Sequence, residues 1–157
     1  MPNFTDKDLG YKKFMNAMKL NAGETAGFVG FLRSSGEHKG DSKEPTTVAQ
    51  VAAWNEFGTS RIPERSFMRS TLAEHSKEIK RLIKKVTGAS VDGSMTKAKA
   101  IGIVCQKIAD GIVAKITSNI PPPNAPETID RKKSSSTLID TGQLRNSVDW
   151  EVVKGKK

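Results

Sequence analysis

Apolar residues recur at helical spacing in four stretches of the chain and alternate with polar ones in two more. Residues 4–20 carry a ragged apolar face of Leu9, Phe14, Ala17 and Met18. Residues 48–57 place Val48, Val51, Ala52, Asn55 and Phe57 at roughly helical intervals. Over 67–87 the stripe is Met68, Leu72, His75, Ile79, Leu82, Ile83 and Val86, and over 94–119 it is Ile101, Val104, Cys105, Ile108, Ile112 and Ile116. Spacing of three and four residues lays each set along one side of a helix. In 24–32, Val29 and Phe31 fall on one face and Phe28 and Leu32 on the other. In 147–153, Val148, Trp150 and Val152 alternate with Asp149, Glu151 and Val153. That period of two predicts strands, and the pair predicts one small antiparallel sheet.

Local signals set the boundaries. Thr47 with Gln50 has the form of a capping box, and Pro45 sits just before it. Gly58 is placed to end that helix in the left-handed region. The loop 59–66 sets Ile62 between Arg61 and Arg65, and Pro63 favours an extended Ile62. Ser66 is expected to cap the following helix, and Asp140 to cap a short one through Asn146. Glycines 27 and 30 fit either a bulge or twist in the first strand or the close approach of another backbone. Residues 34–45 and 120–138 read as extended loops, the second opened by Pro121-Pro122-Pro123-Asn124-Ala125-Pro126, which fits neither a helix nor a central strand. Residues 154–157 form a basic tail. The expectation is a single α+β domain over 1–157, a small antiparallel sheet packed against three or four helices, with long loops.

Composition narrows the chemistry. The formal charge is +9, and it is spread along the helix at Lys77, Lys80, Arg81, Lys84 and Lys85, the loop at Arg131, Lys132 and Lys133, and the tail at Lys154, Lys156 and Lys157. Charge so placed is either a solvated face and tail or a functional contact with DNA or an acidic ring partner. Cys105 is the single cysteine, so no internal disulfide forms; on an apolar stripe it reads as a small core residue. No apolar run approaches the roughly 20 residues of a membrane span, and the polar start is not a signal peptide. The chain therefore reads as soluble and made inside a cell. His38 and His75 lack partners at metal-ligand spacing, and His75, on its stripe, reads as a packed, hydrogen-bonded side chain. There is no phosphate-binding GxxxxGK loop, HExxH, nucleophile elbow or CxxC, so no enzyme, cofactor or metal is expected.

Three motifs in order carry a family resemblance: Asn55-Glu56-Phe57-Gly58-Thr59, then Ile62-Pro63-Glu64-Arg65-Ser66-Phe67-Met68-Arg69, then Leu138-Ile139-Asp140-Thr141-Gly142-Gln143-Leu144-Arg145-Asn146-Ser147-Val148. Together they resemble the neck and tail-completion (tail terminator-like) proteins of long-tailed bacteriophages, over about residues 24–153. Where the family often has proline, this chain has Ser66. The resemblance implies a virion structural protein at the head–tail junction, made in the host cytoplasm. It would be a ring-forming subunit, a hexamer by expectation although neck rings can also have twelve subunits, that meets a connector or head-closure protein on one side and the tail tube on the other. Genomic DNA in the channel is a further contact. The interface candidates are Arg61, Ile62, Arg65, Phe67 and Arg69 in the basic loop, and Pro122, Asn124, Arg131, Lys132 and Lys133 in the long one. A small basic nucleic-acid-binding protein is the alternative; it accounts for the charge but not for the motifs. It also lacks aromatics interleaved with Lys and Arg for base stacking.

Overall fold

The structure, a computed structural model, describes residues 24–32, 36–37 and 46–155. The helix expected over 4–20, His38, most of the 34–45 loop and the end of the basic tail lie outside the described residues. The expected α+β architecture is present. Strand β1 (Thr25–Gly30) precedes helices α1 (Val48–Phe57), α2 (Met68–Glu74), α3 (Ser76–Val91), α4 (Lys97–Thr117), α5 (Pro126–Lys132) and α6 (Gln143–Asn146), and β2 (Asp149–Lys154) closes the order.

The two strands pair antiparallel in the register Gly27↔Val152 and Val29↔Trp150. Two strands alone are marginal in water and need a packing partner, and α4 supplies it. Glycine makes the approach possible from both sides. A Cβ on Gly27 would lie 2.4 Å from Cys105 Sγ and 2.6 Å from Ile101 Cγ2, and one on Gly102 would meet the Trp150 ring at 3.2 Å. Of the two readings of Gly27, close approach is the one observed, although the partner is a helix face and not a backbone. Trp150 Nε1 also donates to Gln106 Oε1 at 2.7 Å, so the indole keeps a polar partner while its ring packs.

The core lies where α1, α4, α6 and the segments ahead of α2 and after α4 meet: Val48, Ala52, Phe67, Ile112, Ile116, Ile120, Leu138 and Leu144. Phe67 and Phe31 stack edge to face with centroids 6.0 Å apart. Burying each large side chain of this set contributes on the order of 1.5–3 kcal/mol.

Several expectations are corrected. The single helix expected over 67–87 is two, α2 and α3, joined at His75, whose φ of −94° and ψ of 8° leave the helical region. The hydroxyls of Ser70 and Thr71 donate back to the carbonyls of Ser66 and Phe67, one turn earlier, a pattern that bends helices. Of the expected stripe, Leu72 and Ile83 are exposed while Ile79 and Val86 are buried. His75 is exposed and lies 3.4 Å from Glu78, so it is not a packed core histidine. Residues 126–132, expected as loop, form α5. Pro126 stands in its first turn, Glu127 beside it, and Arg131 with Lys132 in the last turn, which matches the helix dipole at both ends. Asp140 does not cap α6; Gly142 holds that position at φ 78°. The capping box at Thr47 is present in both directions, with Gln50 N donating to Thr47 Oγ1 and Thr47 N to Gln50 Oε1.

Candidate assembly surface

The stretch from Asn55 to Arg69 folds back on itself, and its motif residues close most of the contacts. Gly58 breaks α1 with φ 74° and ψ 169°, a positive φ as expected but an extended ψ in place of the left-handed helical one. That region is open essentially to glycine alone. The chain then turns at Thr59, whose amide donates to Ile62 O at 2.7 Å and whose hydroxyl accepts from Ile62 N at 2.9 Å. Arg65 N donates to Asn55 O at 2.7 Å and draws the loop back against the end of α1.

Glu56 then starts the next helix. Its Oε2 accepts from Phe67 N and Met68 N at 2.8 Å each, and its Oε1 from Arg69 N at 3.0 Å and the Ser66 hydroxyl at 2.9 Å. Arg69 Nε adds a bond to Oε1 at 3.0 Å. The free amides that open α2 are thus satisfied by a carboxylate from the preceding helix, not by Ser66. Burial pushes the Glu56 carboxyl up, but the backbone donors at Met68 and Arg69, the Arg69 side chain and the Ser66 hydroxyl outweigh it and hold it below the ordinary glutamate value. Arg69 also pairs with Glu64 at 2.8 Å and lies over the Phe57 ring at 4.7 Å.

Arg65 ties this module to the proline loop. Its guanidinium donates from Nε to Pro122 O at 2.8 Å, and from Nη2 to Pro123 O at 3.1 Å and Asn124 Oδ1 at 3.3 Å. Asn124 Nδ2 passes the connection to Ser136 O at 2.9 Å. No carboxylate meets Arg65 among the described residues, and burial lowers its proton affinity. Lys132, half-buried, donates to Ser136 O at 2.9 Å; burial draws its pKa down, while Asp140 opposes the shift.

Residues from both loops therefore line one cleft of about 560 Å³, with Arg61, Ile62, Arg65, Pro122, Arg131, Lys132 and Asp140 in its walls. The candidates divide on burial. Phe67 is wholly buried and belongs to the core, and Arg65 and Asn124, at 5% and 8% exposure, are internal clamps. These three are corrected from contact residues to internal ones: Phe67 offers no surface to a neighbour, and Arg65 and Asn124 offer only the little that reaches the cleft wall. Arg61, Pro122, Arg131 and Lys133 are exposed, Ile62 half-buried, and Arg69 exposed but engaged with Glu56 and Glu64. Asp140, Thr141 and Gln143, not singled out as contact residues, line the same cleft.

Two apolar surfaces add to this picture. A groove of about 530 Å³ runs between α3, α4 and β1, lined by Val29, Ile83, Val86, Val91, Ile101 and Val104. Phe28, Trp54, Phe57 and Val153 are 41–63% exposed on β1, α1 and β2. Among the described residues no three His, Cys, Asp or Glu side chains gather as a metal set, and no helix is long and apolar enough to cross a membrane. No protein-family model matches the chain, and neither the curated proteins nor the solved structures include one that matches it.

Proposed function

We propose that the chain is a virion structural protein of a long-tailed bacteriophage, a ring-forming neck or tail-completion subunit needed to join tail to head. The observation that carries this reading is the union of the two loops. Arg65, in the second of the motifs that resemble the phage family, ties its loop to the proline loop, and Arg61, Pro122 and Lys133 stand exposed on the joined loops. The side chains that join the two loops are buried, and those on the rim of the cleft between them are left for other molecules. The exposed apolar residues on β1, β2 and α1 suit a subunit that completes its packing against neighbours.

The work of such a protein is assembly without a reaction. One heterologous contact repeated around an axis closes a ring, here read as a hexamer. The ring faces connector or head-closure protein on one side and tail tube on the other, in a particle assembled in the host cytoplasm. Apolar contacts supply affinity and the charged rim sets orientation.

Light scattering and negative-stain imaging of the protein, alone and mixed with connector or tail tubes, should reveal rings. Arg61→Glu with Lys133→Glu should abolish them and leave the far-ultraviolet circular dichroism unchanged. Phage particles that join heads to tails and infect normally without this protein overturn the reading.

A further inference from the structure

Helix α3 presents a cationic stripe that no carboxylate engages among the described residues. Lys77, Lys80, Arg81, Lys84 and Lys85 are all exposed. At 3.6 residues per turn they fall within an arc of roughly 140°, on the side opposite buried Ile79 and Val86. None of the five pairs with a carboxylate among the described residues. Glu78, the one acid in α3, is taken by Lys107 at 2.9 Å and faces His75.

The contrast with the rest of the molecule is informative. Lys107 and Lys115 on α4 each meet a glutamate, and Arg69 meets two. On α3, by comparison, 77 with 81, 80 with 84 and 81 with 85 are like charges one turn apart, an arrangement that disfavours the isolated helix. A polyanion laid along the stripe would reverse that repulsion.

We propose that the outer face of α3 binds the phosphate backbone of duplex nucleic acid without reading its sequence. Residues 77 to 85 span about 12 Å of helix. The same length of duplex carries about seven phosphates, enough to occupy all five cations. Four of the five are lysine, a residue depleted at protein–protein interfaces, and no apolar side chain interrupts the stripe to serve as an interface core. No aromatic lies among the cations either, so stacked single-stranded bases have no platform. This proposal goes beyond the assembly reading and stands whether or not the chain closes into a ring.

The test is fluorescence anisotropy of a labelled random-sequence DNA duplex with full-length protein over a salt series. Binding should be micromolar at low salt, and the logarithm of the association constant should fall with the logarithm of salt with a slope of about −3 to −4.5. Lys80→Gln/Lys84→Gln should make that slope shallower by about two. A control of equal charge change, Lys99→Gln/Lys154→Gln, should leave it close to wild type. Equal effects of the two pairs, or no duplex binding at low salt, overturn the proposal. So does displacement of the duplex by poly-L-glutamate as readily as by unlabelled duplex, which would assign the face to an acidic protein. Ring formation, read separately by light scattering, is unaffected by failure of this proposal.

Discussion

Glu56 is a buried carboxylate whose charge is required. Its side chain is 4% exposed, yet five donors converge on it. Glu56→Ala should lower the free energy of unfolding by about 2–4 kcal/mol, because the amides of Phe67, Met68 and Arg69 lose their acceptor together. Urea denaturation measures this directly. Since the folded protein holds the carboxyl below the ordinary value of 4.5, its contribution is fully present above that value and is lost as the pH falls through the lowered, folded one. Glu56→Gln should therefore narrow its stability gap to wild type in acid, and a gap constant from neutral pH down to that range would contradict the assignment. Arg65 makes a parallel case. Arg65→Lys cannot reproduce the guanidinium fork on Pro122, Pro123 and Asn124, and a loss of about 1–3 kcal/mol is expected in the same measurement. At Gly58, alanine meets both a glycine-only backbone region and Glu64 N at 3.0 Å from its Cβ, so a cost of about 1–3 kcal/mol follows.

Among the elements, those written in local spacing were legible and those depending on distant partners were not. The Thr47 capping box, the helical spacing of α4 and the strand character of β1 and β2 follow from residues three, four or two apart, which the chain displays openly. Of the α4 stripe, Cys105, Ile112 and Ile116 are buried, while Ile101, Val104 and Ile108 line the open groove. The role of Glu56 depends on amides eleven to thirteen residues ahead, and that of Arg65 on carbonyls 57 and 58 residues away. Phe67 reads in the sequence as an interface candidate of the basic loop, and only packing shows that it fills the core. Helix α5 went unread because it buries no residue, so no apolar stripe marks it; Pro126 and Glu127 were the available signals. The crowding of cations on α3 leads to a prediction of its own. Lys84→Gln removes its repulsion with Lys80 and should stabilise the protein by about 0.2–0.5 kcal/mol at low ionic strength, an effect that fades as salt is added. Thermal unfolding at two salt concentrations checks it.

For the molecule as a whole, the main division is between what holds it and what it shows to others. Glu56, Arg65, Phe67, Leu138 and Leu144 of its motifs are spent inside, on the helix cap, the loop clamp and the core, while Arg61, Lys133 and the α3 cations face outward. A chain arranged this way tolerates changes at Arg61 and Lys133 and not at Glu56, Arg65 or Phe67. Neutralising Arg61 should leave the melting temperature unchanged, whereas Glu56→Ala should lower it by several degrees, in keeping with a chain of this size.

The carboxylate shared between α1 and α2 also has a consequence for how the chain opens. Because the first amides of α2 find their acceptor on α1, neither helix can fray alone without exposing groups of the other. Native-state hydrogen exchange should then report the amides of Phe67, Met68 and Arg69 and those of α1 as one cooperative unit with a common opening free energy. Residues 48–74 would come apart together, as a hinged pair and not as two separate turns of helix.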